Sequence, residues 1–131
     1  MQKKKYLILL VVLILTLGAT TAFARYSHTA QISVTFSISG STAACEGYVI
    51  PSSTENTASV SVRLQKKVGS SWNTVNTWSG TASGAGFPAW AGGTYTLTSG
   101  YDYRVYVVGT VKDPSGTVLE TTNITSSTKT Y

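Results

Sequence analysis

"TYTLTSGYDYRVYVVGTVKD", residues 94–113, decides the fold class. Beyond the Ser99-Gly100 turn, Tyr103, Val105, Val107 and Val111 alternate with Arg104, Tyr106, Val108 and Lys112. A period of two sends successive side chains to opposite faces of a half-buried strand. Before the turn, Tyr95 and Leu97 alternate with threonines in the same way. After it, Asp113-Pro114-Ser115-Gly116 has Pro second and Gly fourth, as a type I turn prefers. A last, polar strand then runs from near Thr117 towards Tyr131, and its composition suits a sheet edge.

Upstream, the pattern repeats. Ile32, Val34, Phe36 and Ile38 alternate with Ser33, Thr35 and Ser37, and Gly40-Ser41 ends that strand. A second strand over about 43–50 places Cys45, Gly47 and Val49 on one face. A third sets Ala58, Val60, Val62 and Leu64 against Ser59, Ser61, Arg63 and Gln65. "KVGSS", 67–71, turns the chain into a returning arm, Trp72 to Trp78. Trp72 and Trp78 share parity and Val75 has the other, so either both faces bury apolar groups or a bulge shifts the register. No stretch after residue 24 sustains a 3.6-residue apolar period. Seven short antiparallel strands, separated by Gly, Pro and Ser turns, predict an all-β, immunoglobulin-like β-sandwich over residues 25–131.

Two resemblances refine this. "LTSGYDYRV", 97–105, is similar to the tyrosine corner of fibronectin type III domains, in which a tyrosine near the start of the penultimate strand returns its hydroxyl to nearby backbone. That implies the order A, B, C, C′, E, F, G, with sheets ABE and GFCC′, and makes Tyr103 the corner residue. "RLQKK", "SSWNTVNTWS", "SGYDYRVYVVGTV" and the closing "STKTY" resemble a group of small secreted proteins of Gram-positive bacteria with no assigned function. The likeness spans most of 26–131 and implies export and a β fold. It transfers no catalytic or binding residue.

The N-terminus carries a separate signal. Lys3, Lys4 and Lys5 precede an apolar run from Tyr6 to Leu17, Gly18 breaks it, and Ala22-Phe23-Ala24 is a small–x–small cleavage pattern. Residues 1–24 therefore read as a secretory signal peptide, an N-terminal signal helix followed by a helix-free domain, with cleavage between Ala24 and Arg25. The run is shorter than the about 20 residues that span a bilayer. Soluble secretion is expected, with no membrane attachment after cleavage. The full chain has a net charge of +5, but residues 25–131 hold seven cationic and five acidic residues, net +2. The cationic residues are scattered apart from Lys66-Lys67 and form no stripe of the kind nucleic-acid binding calls for.

Chemistry-bearing groups are few. One His, one Cys and five acids offer no metal-ligand spacing, and no cofactor is expected. His28 reads as a solvated residue of a frayed end. Asp102 and Asp113 lack the dense acidic spacing of a calcium loop. Cys45 has the inward parity of its strand and reads as core, with an intermolecular disulfide as the minor alternative. No catalytic residue is assigned, because a nucleophile needs an adjacent base and none is available. Asn123-Ile124-Thr125 matches a glycosylation acceptor, without consequence if the chain is bacterial as the resemblance implies.

Surface is what remains. Arg63, Arg104 and Tyr106, with Gln65 and Val108, are expected on one sheet face, and Tyr and Arg are enriched at interfaces. "GAGFPAWAGG", 84–93, reads as part of a flexible connection from about Ser79 to Gly93. Its Phe87 and Trp90 either fold back to close an open end of the domain or stand out as an anchor. The function expected is a secreted, non-enzymatic binding or surface-interaction domain for an extracellular protein or glycan. The alternatives are a carbohydrate-binding module, with Trp90, Phe87 or Tyr106 stacking on sugar rings, and a self-assembling structural protein.

Overall fold

The sequence alternation becomes an alternation in burial in a computed structural model that describes residues 19–23 and 26–131. The expected signal helix, with its basic residues and apolar run, and the expected cleavage point between Ala24 and Arg25 lie outside the described residues. The strands are β1 (Ala19–Phe23), β2 (Thr29–Ser39), β3 (Thr42–Pro51), β4 (Thr57–Val68), β5 (Ser71–Thr81), β6 (Ala89–Thr96), β7 (Asp102–Lys112), β8 (Val118–Thr125) and β9 (Lys129–Thr130). All pairings are antiparallel. One sheet has the order β1-β2-β3-β6; the other runs β5-β4-β7-β8, with β9 also pairing β7.

The seven expected strands are β2 to β8, and they divide between the sheets as anticipated: three in one, four in the other. The two additions are β9 and β1, the latter formed by residues that the sequence assigns to the leader. The expected edge strand, β8, ends the order of its sheet.

One core serves both sheets. Ile32, Val34 and Phe36 of β2, with Cys45 and Val49 of β3, are buried together with Val60, Val62 and Leu64 of β4 and Val105 and Val107 of β7. Each large aliphatic side chain removed from water contributes about 1.5–3 kcal/mol. The sheets approach closely at Gly47, where a Cβ would sit 2.8–2.9 Å from methyls of Val107 and Val62. Tyr103 is 1% exposed. Its hydroxyl donates to the Thr98 carbonyl at 2.9 Å and accepts from the Thr98 amide at 3.0 Å. Those bonds satisfy the one polar atom of a buried ring and are the contacts expected of the corner.

Two expectations about the chain's course are corrected. The connection before β6 is only residues 82–88, because "AWAGG" belongs to a regular strand paired with β3 from Tyr48↔Trp90 to Cys45↔Gly93. That connection is tied to the chain at two points, Ala82 N–H to the Ala58 carbonyl (3.0 Å) and Gly86 N–H to the Asn56 carbonyl (2.8 Å). Small residues suit β6 because neighbouring groups press against it: a Cβ on Gly93 would overlap the Trp78 indole. The N-terminal end of the domain is also held. Ser27 and His28 donate their amides to the two oxygens of Glu120, each at 3.0 Å, so His28 does not sit in a frayed end.

The ambiguous arm, β5, resolves as a bulge. Its register against β4 shifts between Leu64 and Gln65, so Trp72 lies opposite Lys67 and Trp78 opposite Val62. Directly paired residues share a face. Trp72 therefore faces outward with Lys67, while Trp78 turns inward and packs against the core.

Candidate functional site

The outer face of the β1-β2-β3-β6 sheet is built from residues of outward parity. Register places Ser33, Tyr48 and Trp90 in one row, Thr35, Glu46 and Gly92 in the next, and Ser37, Ala44 and Thr94 in a third. Gly92 and Ala44 lower the floor of the second and third rows. The result is a shallow depression of about 290 Å³, walled by Trp90 and bordered by Glu46, Thr35, Ser37 and Thr94.

Trp90 is 55% exposed although it sits in a regular strand. Its indole N–H donates to Glu46 Oε1 at 2.8 Å, a charge-assisted bond that fixes the ring's orientation. Gln31 donates to the hydroxyl of Tyr48, the cross-strand neighbour of Trp90. A large ring held in place in water, beside a carboxylate and several hydroxyls, offers an apolar face and hydrogen-bonding groups to one ligand.

The sequence-derived surface residues separate into two groups. Arg63, Arg104 and Tyr106 share the outer face of the other sheet: Arg63 pairs Tyr106, and Gln65 pairs Arg104. Trp90 lies on the opposite outer face, and Phe87, 59% exposed, lies in the 82–88 connection. Both rings are more than half exposed, whereas Trp78 packs against the core over Gly93. Sequence reasoning assigned no role to Glu46, Tyr48 or Trp72. Glu46 alternates outward from Cys45, but its pairing with Gly92 needed β6 to be recognised as a strand.

Cys45 is 2% exposed, and burial pushes its thiol up to about 12. It is a core residue without a thiolate near neutral pH. Among the described residues, no three or more His, Cys, Asp or Glu side chains come together to hold a metal ion. Partial burial raises the pKa of Glu120. The nearby Thr29 hydroxyl, which falls short of a formed hydrogen bond, and the amides of His28 and Ser27 outweigh this and hold the carboxyl below the ordinary glutamate range. Asp113 is also lowered, first by the Ser115 hydroxyl and then by the Thr117 amide. Both acids serve structure: Glu120 anchors the start of β2, and Asp113 organises the turn after β7.

No protein-family model, curated protein or solved structure matches this chain. The functional reading therefore rests on the site itself.

Proposed function

We propose that this chain is an exported, non-enzymatic binding domain with an immunoglobulin-like β-sandwich architecture that takes a carbohydrate on its Trp90 platform. The strand order and the Tyr103–Thr98 corner support the architecture. The observation that carries the function is the exposed indole of Trp90, seated on a strand and pinned through its N–H by Glu46. An exposed tryptophan without a partner costs hydration free energy. Stacking against the apolar face of a sugar ring recovers it, while Glu46, Thr35, Ser37 and Thr94 meet the ring hydroxyls. Holding the ring before binding lowers the entropy cost of association.

The test is titration of cellohexaose, xylohexaose and chitohexaose into the protein, followed by tryptophan fluorescence. Saturable binding of at least one, lost in Trp90→Ala and weakened in Glu46→Ala, supports the reading. No binding of any, or binding indifferent to Trp90→Ala, overturns it.

Self-assembly is the second reading, favoured by one observation. β1 covers the edge of β2 from Gln31 to Thr35, yet it belongs to the segment the sequence marks for removal. β2 carries neither charge nor proline, the usual devices that keep an edge from pairing with another chain. Sedimentation of residues 25–131 over a concentration series checks this; a monomer throughout would eliminate it. Cys45 offers no route to such assembly, because it is buried.

A further inference from the structure

The β5-β4-β7 face carries a second arrangement, independent of Trp90. Arg104 is fixed in two ways. Its guanidinium carbon lies 4.3 Å from the Trp72 ring centroid, and its Nε–H donates to Gln65 Oε1 at 2.8 Å. Arg63 lies over the Tyr106 ring at 5.9 Å, the outer limit of cation–π range. The register sets the two arginines diagonally on neighbouring strands, since Arg63 pairs Tyr106 and Gln65 pairs Arg104. Diagonal neighbours on one face are within reach of long side chains.

The charges on this face are unbalanced. Among the described residues no carboxylate pairs with either arginine. Asp102, two residues before Arg104, accepts from the Thr130 hydroxyl at 2.6 Å instead. A guanidinium has five N–H donors in a rigid plane, and Arg104 commits only its Nε–H here. The remaining Nη edge is a planar fork already oriented by Trp72 and Gln65. That fork matches an oxyanion with two oxygens, and it is the feature a lysine does not reproduce.

Beside Arg63 the face dips into a depression of about 350 Å³. Ser59, Ser61, Ser79, Thr81 and Thr110 contribute to its lining. Hydroxyls both donate and accept, so this row complements a polyol. Guanidinium forks next to a hydroxyl-lined hollow define one chemical class. We propose that the outer face of the β5-β4-β7 sheet binds an acidic polysaccharide, with Arg104 and Arg63 on its oxyanion groups and the Ser/Thr depression on its sugar hydroxyls. The oxyanion is a carboxylate or a phosphate, and the probes separate these.

Affinities of the full domain are measured for polygalacturonate, a phosphomannan and neutral mannan, at about 50 and 300 mM salt. Binding of one or both acidic polymers, tighter than any binding of neutral mannan and falling as salt rises, is expected. The acidic polymer that binds identifies the oxyanion. Arg104→Lys keeps the charge but loses the fork, and it should weaken binding about tenfold. Trp72→Ala should weaken it less, by freeing Arg104. Phe87→Ala, at an exposed ring in the 82–88 connection that belongs to neither sheet face, should leave it unchanged. Thermal melts confirm that each variant folds. Failure of both acidic polymers to bind, equal binding of neutral mannan, indifference to Arg104→Lys in a folded protein, or loss of binding in Phe87→Ala would each overturn the proposal.

Discussion

Trp78 and Trp90 lie on strands that come together, β5 and β6, and Gly80 of β5 packs against the backbone carbonyl of Trp90. The two rings nevertheless face different media. Trp78 points inward opposite Val62 and covers Gly93; Trp90 points outward opposite Tyr48 and is held by Glu46. The difference is one of register. A bulge at Leu64/Gln65 turns Trp78 in, and unbroken pairing with β3 turns Trp90 out. A domain that can seat one indole over a glycine has the means to bury another, and the exposed, pinned Trp90 is the feature on which the proposed platform rests.

The comparison can be broken most severely at Trp78. Trp78→Ala should cost about 2–3 kcal/mol, somewhat less than a fully buried tryptophan because the ring is half-buried. Chemical denaturation checks this, and a loss under about 0.5 kcal/mol would mean that Trp78 contributes little to the core. Gly93→Ala comes next, at about 1–3 kcal/mol, because its Cβ meets the indole. The coupling is sharper than either single value. In a Trp78→Ala background the Gly93→Ala cost should largely vanish, and simple additivity would place the strain elsewhere.

Much of this was legible in the sequence, because alternation is a local property. Val60, Val62 and Leu64, and Tyr103, Val105 and Val107, declare their inward faces without knowledge of their partners. The Leu97–Tyr103 spacing likewise anticipates the Thr98 bonds, since the corner is formed within seven residues. The β6 strand was hidden because its signal is not local. Gly92 and Gly93 read as flexible, yet they are small because the Cys45 carbonyl and the Trp78 indole approach from other strands. The grouping of Arg63, Arg104 and Tyr106 followed from parity, whereas Trp72 joined them only through a bulge that the sequence left open.

Tyr103→Phe tests the legible part. It removes both hydroxyl bonds and should cost about 1–2 kcal/mol while leaving the fold intact. A smaller effect is expected from Glu120→Gln, and its signature is pH dependence. The Glu120 carboxyl is lowered in the folded state, so its stabilisation is present above the ordinary glutamate range and is lost as pH falls through the lower folded value. Melting temperatures of wild type and Glu120→Gln should therefore differ near neutral pH and converge in acid. A constant difference across that range would remove the carboxylate from the account.

Trp90→Ala is the smallest of the stability effects, within about 0.5 kcal/mol, as for an exposed side chain. It is also the variant on which the proposed function depends. The decisive measurement pairs its melting temperature with its oligosaccharide titration. The account predicts a melting temperature within about 2 °C of wild type and loss of binding. A fall comparable to that of Trp78→Ala, or sugar binding that survives the substitution, would contradict it.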